Sequence, residues 1–268
     1  AYFCSANRLV VHSLSMEFRI FFPLVEEEDR EWLSATEIEQ YNNALERLHL
    51  GDTPSEDPRT DSYFVTNSVF GLKYRHGKKL ELKVRHKEVL DGMEGWTKWK
   101  IGKKDASHYR SEIHNVLNNS GYIDWKPDHP VFSFSDMIDV SKQRQRVSLG
   151  EFKVEVTKVF VPHEQGRFRR PISRRNWASI AIEADTRENI SQFLSTDTNP
   201  LPLKDSLSVI RQIFATKREE ALTHKFLPIV SGYPLYLQVI ADSVSKDEYQ
   251  RDVETVWYEV MNRIIEST

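Results

Sequence analysis

The stretch GLKYRHGKKLELKVR, from Gly71 to Arg85, decides the fold. Lys73, Arg75, Glu81, Lys83 and Arg85 alternate with Leu72, Tyr74, Leu80, Leu82 and Val84, a period of two that marks two short β-strands, each with one apolar and one charged face. His76, Gly77 and Lys78 between them read as a hairpin connection. Five charges on one face suit either a sheet that meets water or the inside of a polar barrel built to hold something highly charged. The rest of the chain must choose between these.

Composition narrows the field. The chain has 268 residues, 39% hydrophobic and 29% charged, enough to bury a sizeable core in one large domain. A formal net charge of -3 gives no reason to expect DNA or a membrane surface as partner, so any anion site must be local. The single cysteine, Cys4, excludes an internal disulfide and a cysteine-built zinc site, which fits a reducing compartment such as the cytoplasm. No apolar run approaches the roughly 20 residues that span a bilayer. Residues 1–15 carry Arg8 and three serines but no acid, so they suit a trimmed organelle-targeting segment as well as an ordinary N-terminal strand. They are set apart as an extension, with residues 16–268 as one domain.

From Met16 the strand MEFRIFF sets Glu17 and Arg19 against Phe18, Ile20 and Phe22, and Pro23 ends it. Ile38, Tyr41, Ala44, Leu45 and Leu48 then fall at helical spacing before Gly51. DSYFV, GLKYR, KLELKVR and WTKWKI form a meander of short antiparallel strands, the last placing Lys98 and Lys100 opposite Trp99 and Ile101. SHYRSEIHNVLNNSG reads as a short helix, FSFSDMIDVS as a strand, and RQRVSLGEFKVEVTKVFV as a strand presenting Lys153, Glu155 and Thr157 together. WASIAIEAD follows, and the C-terminal third turns helical, with Val253, Trp257, Val260, Met261 and Ile264 as one apolar stripe. The pattern predicts an α+β domain.

Each charged strand residue taken alone is most simply solvated. Together they weaken that reading, because one face after another consists of long charged side chains. Closing such strands into a barrel gathers Arg19, Lys73, Arg75, Lys83, Arg85, Lys98, Lys100 and Lys153, and like charges so gathered require a polyanion or a counter-charge. Arginine and lysine bind phosphate oxygens. Glu17, Glu183 and Asp185 carry the oxygen ligands that Mg²⁺ or Mn²⁺ prefer, and Glu183 and Asp185, two apart in a strand, point the same way.

In the order of these features the chain resembles the CYTH superfamily, the triphosphate tunnel metalloenzymes. That family opens with E-x-E-x-K, and here Ser15-Met16-Glu17-Phe18-Arg19 matches the second acid and the base but not the first acid. Its tyrosine-containing segment, K/R-x-R strand and basic hairpin are similar to Asp61-Ser62-Tyr63, Lys73-x-Arg75 and Glu81-x-Lys83-x-Arg85. Its late E-x-E is similar to Glu183-x-Asp185, and its Ser-Tyr turn into a helix to Ser231-Gly232-Tyr233-Pro234. The resemblance implies an antiparallel eight-stranded β-barrel flanked by helices, closing around a polyphosphate-type anion. It implies phosphate binding by Arg19, Lys73, Arg75, Lys83 and Arg85, with Glu81, Lys98, Lys100, Lys153 and Glu155 in the same lining. Glu17, Glu183 and Asp185 are the expected metal-binding and catalytic residues of a metal-dependent phosphohydrolase, with Mg²⁺ or Mn²⁺ as cofactor. Ser15 in place of a carboxylate leaves a second expectation open, a tunnel that binds an anionic ligand without cleaving it.

Other features are weaker. The loop RFRRPISRR, with Arg167, Arg169, Arg170, Arg174 and Arg175, suits RNA or an acidic protein, although a solvated hairpin loop explains it more simply. Trp96 and Trp99 beside lysines suit base stacking, but core packing for Trp99 and edge exposure for Trp96 are the simpler expectations. The nine histidines show no zinc spacing, and neither G-x-S-x-G nor a P-loop occurs.

Overall fold

A computed structural model of the chain describes residues 11–65, 70–75, 79–85, 92–101, 113, 137–161, 175–195, 201–242 and 244–266. The expected helix around residues 107–121, the hairpin turn at 76–78 and most of the arginine-rich loop lie outside the described residues, apart from Ile113 and Arg175.

Eight antiparallel strands close into a barrel: β1 (Val11–Pro23), β2 (Arg59–Phe64), β3 (Phe70–Arg75), β4 (Lys79–Arg85), β5 (Met93–Ile101), β6 (Met137–Leu149), β7 (Phe152–Phe160) and β8 (Trp177–Ala184). Their order is β5-β4-β3-β2-β6-β7-β8-β1, and β1 pairs back with β5 from Val11↔Trp99 to Phe18↔Met93. Beyond that point a two-residue strand, β9 (Ile229–Val230), takes over beside Ile20 and Phe21 of β1. Closure abolishes the open edges that a sheet of this length would otherwise expose.

The helices are α1 (Ala35–Glu46), α2 (Arg187–Ser195), α3 (Leu203–Thr216), α4 (Arg218–Thr223), α5 (Tyr233–Ile240), α6 (Lys246–Tyr249) and α7 (Val256–Glu266), with a π-helical turn at Gln250–Thr255. Ser34 and Glu37 form a capping box that starts α1. None of the helices among the described residues is long and apolar enough to cross a membrane.

The hydrophobic core lies outside the barrel. Phe18, Ile20 and Phe22 of β1 and Ile180 and Ile182 of β8 are buried in one cluster with Ile210, Phe214 and Trp257 of the helices. Tyr41 joins α1 to this layer, edge-on to Phe214 at 5.9 Å, while its hydroxyl donates to the Pro23 carbonyl at 2.8 Å. With the apolar residues facing out, the alternating charged residues must face in.

Three expectations change. β1 begins at Val11 rather than Met16; a register shift between Val11 and Ser13 breaks the alternation there and hides the strand's start. The segment read as one strand through RQRVSLGEFKVEVTKVFV is two, β6 and β7, joined at Gly150, whose φ of +60 supplies the left-handed turn. Trp96 is buried rather than at an edge, because it shares the inner face of β5 with Lys98. Trp99, on the outer face, is buried as expected.

Gly92 precedes β5 with φ +73, and a Cβ there would sit 2.6 Å from Val230 Cγ1. Gly92→Ala should therefore destabilise the fold by about 2 to 4 kcal/mol. Gly150→Ala, whose added Cβ would meet nothing within 4 Å, should cost only about 1 kcal/mol, the left-handed penalty. Urea denaturation of both variants checks the difference.

Candidate functional site

The inner positions descend from an open rim to a closed floor. Along β6 the side chains of Arg146, Arg144 and Lys142 are 50%, 9% and 3% exposed. Likewise Lys100, Lys153 and Asp185 are exposed at the rim, Lys98, Glu155 and Glu183 are half-buried one step down, and Trp96, Thr157 and Ala181 are buried below them. The start of α5 forms the floor. Tyr233 stacks on Tyr63 with ring centroids 5.1 Å apart and meets Phe21 edge-on at 5.0 Å, while Pro234 reaches the wall at Gly71. The cavity, open at the rim, has a volume of about 170 Å³.

Nine lysine and arginine side chains and four glutamates line this cavity, nine minus four leaving a formal excess of five positive charges. Glu17 accepts from Arg19 Nε at 2.7 Å and from Lys83 Nζ at 3.0 Å. Burial alone would raise its carboxyl, but Lys83 and Arg19 more than reverse this and hold it well below the usual carboxylate range. Glu155 is shared by Arg19, Arg144 and Arg146 at 3.0 to 3.3 Å, and these arginines likewise overcome burial to keep it ionised. Glu81 bridges Lys73 and Arg75 at 3.4 and 3.2 Å.

Behind the lining, fully buried Asp61 neutralises the wall: one of its oxygens lies 3.0 Å from Arg59, 3.4 Å from Lys73 and 3.6 Å from Lys142. Three cations on one carboxylate are under-neutralised. Burial pushes the Lys73 ammonium down to about 8 despite Asp61 and Glu81. Lys142 falls well below its usual range, through burial and then the repulsion of Lys73. Lys142 donates to the Tyr63 hydroxyl, and its ammonium lies 3.6 Å from the centre of the Tyr233 ring.

The residues singled out by the sequence therefore separate. Glu17, Arg19, Lys73, Arg75, Glu81, Lys83, Lys98, Glu155 and Glu183 line the cavity together. Arg85 lies instead beside Glu94, 3.6 Å away, and Lys100, Lys153 and Asp185 stand at the rim in solvent. Arg175 turns from the loop to buried Asp29, 3.0 Å away, and over the Phe226 ring at 4.6 Å.

Sequence reasoning missed Arg59, Lys142, Arg144 and Arg146. The last three alternate in S-K-Q-R-Q-R, but the intervening glutamines hide which face is apolar. It missed Glu94 too, a buried carboxylate that accepts from Ser231 Oγ at 2.9 Å, the Gly232 amide at 2.8 Å and Trp96 Nε1 at 3.1 Å. Glu94 thus docks the start of α5, and Tyr233 with it, onto the barrel. Burial raises the Glu94 carboxyl, against the pull of Arg85 and Ser231.

Among the described residues no group of three or more His, Cys, Asp or Glu side chains stands close enough to hold a metal ion. Glu17 and Glu183 are directly paired across β1 and β8 and share the inner face, with Lys98 3.6 Å from Glu183. Mg²⁺ commonly takes one or two carboxylates together with phosphate oxygens, so this pair fits it without Asp185.

No protein-family profile matches the chain, and no curated protein matches it. A solved structure of a proposed adenylate cyclase from Bacillus halodurans is similar over 76% of this chain and 90% of its own, at 13% identity and TM-score 0.35. The RNA triphosphatase of S. pombe is similar over 76% and 82%, at 10% identity and TM-score 0.21, and scores 0.22 in complex with the Spt5 CTD. Likenesses this distant assign neither family nor activity.

Glu94→Ala would leave a hydroxyl, an amide, an indole and a guanidinium without their shared acceptor. It should destabilise the fold by about 3 kcal/mol, measured by urea denaturation, with Glu94→Gln losing less.

Proposed function

We propose that the barrel interior binds a triphosphate or a related polyanion. The observation that carries this reading is the excess of cations around a single cavity, with Lys142 buried among them and its ammonium disfavoured by burial and by the repulsion of Lys73. A phosphate chain replaces the missing counter-charge. Arg19 and Arg144 offer forked donors to its oxygens, and Lys73, Lys83 and Lys142 act as point charges. Tyr63 and Tyr233 exclude water beneath it, which strengthens each of these interactions.

A second reading, phosphoanhydride hydrolysis, is favoured by the facing pair Glu17 and Glu183. A divalent cation held there with Mg²⁺ or Mn²⁺ chemistry would polarise a phosphoryl oxygen and counter the charge that develops on it. In this chain Lys83 and Lys98 now neutralise the two glutamates, and an incoming phosphate chain would draw both lysines toward itself.

Calorimetric titration with inorganic triphosphate tests the first reading, beside phosphate release from triphosphate, ATP and thiamine triphosphate with Mg²⁺ or Mn²⁺. Lys142→Ala should weaken binding by about 10- to 100-fold, the worth of one charge-assisted hydrogen bond. No heat and no thermal shift with any of these anions would overturn the proposal. Metal-dependent release lost in Glu17→Ala and Glu183→Ala but kept in Asp185→Ala would establish hydrolysis, whereas binding without release would restrict the barrel to holding its ligand.

Binding should also depend on pH. Lys73 is charged below about 8 and loses its charge as pH rises through that value. Affinity for triphosphate at fixed ionic strength should therefore be weaker at pH 9 than at pH 7, and Lys73→Arg should flatten the difference.

A further inference from the structure

The segment from Leu50 to Pro58 runs as a strap across β6 at the rim. Gln145 ties it down: its side chain accepts from the Leu50 amide at 3.4 Å and donates to the Thr53 carbonyl at 2.8 Å. Ser55 forms an isolated antiparallel bridge with Gln145, and the Glu56 amide donates to the Arg144 carbonyl at 2.6 Å. This anchoring delivers one carboxylate to the cavity's entrance. Glu56 pairs with Arg144 and lies 3.7 Å from Arg146, while its own side chain remains 40% exposed.

We infer that Glu56 is a specificity-determining residue: a tethered stopper that occupies the rim arginines and admits only ligands carrying several negative charges. The inference rests on the polyanion reading of the cavity. Arg144 and Arg146 face two carboxylates of different kinds. Glu155 belongs to the barrel wall, and is buried and fixed by Arg19, Arg144 and Arg146. Glu56 hangs from a strap and can turn to water without breaking the barrel. A singly charged anion offers the two arginines no more than Glu56 already does, and it lacks Glu56's attachment to the chain. A phosphate chain reaches past the rim to Arg19 and Lys142, so its extra contacts outweigh the loss of the Glu56 pairs.

The test titrates orthophosphate and tripolyphosphate, at a mildly acidic pH where orthophosphate is chiefly the monoanion, into the wild-type chain, Glu56→Gln and Glu56→Asp, with a thermal melt of each. Glu56→Gln should bind orthophosphate about five- to tenfold more tightly and tripolyphosphate by a smaller factor, so that the preference for tripolyphosphate shrinks as the competing rim ion pair is removed. Glu56→Asp, which keeps the charge, should stay near wild type. Carbon NMR on the unmodified chain gives an independent readout: tripolyphosphate should shift the Glu56 side-chain carboxyl resonance as its pairs with Arg144 and Arg146 are displaced. Wild-type binding of tripolyphosphate with the same preference over orthophosphate in Glu56→Gln, or with the Glu56 carboxyl resonance unchanged, would overturn this inference alone. Failure of all three proteins to bind either anion would overturn the cavity reading and the inference with it.

Discussion

The constraint on which the rest of the structure depends is the cost of gathering cations inside a barrel. An ammonium or guanidinium moved out of water loses several kcal/mol of hydration, recovered only where a counter-charge sits at hydrogen-bond distance. Each carboxylate of the interior is placed for this: Glu17 between Arg19 and Lys83, Glu155 among three arginines, Asp61 behind Lys73 and Lys142. The compensation is uneven. It is nearly complete around Glu17, and poorest where Asp61 serves Arg59 and Lys142 and shares Lys73 with Glu81. The cavity is therefore polarised, with three of its four lining glutamates on β1, β7 and β8 and its surplus of positive charge toward β2, β3 and β6.

Spending most of the inner face on charge leaves the barrel little apolar surface of its own to pack inside, so the helices become necessary to the strands. Phe18, Ile20 and Phe22 point outward and need α3, α7 and the residues around β9 to cover them. Tyr236 of α5, stacked on Phe21 at 4.2 Å and edge-on to Trp177 at 5.5 Å, joins that outer layer to the floor of the cavity. The helix that shapes the site thus also belongs to the core.

How far the sequence could be read follows from which signals were local. The alternation of Gly71 to Arg85 and of Met16 to Phe22 survives into β3, β4 and β1, because strict period two leaves one way to bury the apolar half. The same periodicity failed where the residues between the charges were polar, as with Gln143 and Gln145 beside Lys142, Arg144 and Arg146. Depth was invisible: Lys100, Lys153 and Asp185 obey the inward alternation yet stand above the rim, since the height of a residue along a strand depends on barrel tilt and stagger. Glu94 belongs to contacts between distant segments, which no spacing along the chain announces, and Tyr233 was legible only through the likeness of Ser231-Gly232-Tyr233-Pro234 to a family turn, not through its contacts.

Among the described residues, the start of α5 lies across the base of the barrel and leaves the cavity one door. A guest entering past Arg146 and Lys98 meets Tyr233 and Pro234 across its path, so among the described residues nothing offers it a route to be threaded through and passed on. A long polymer could offer only its tip, and a spent fragment would have to clear the entrance before the next guest arrived.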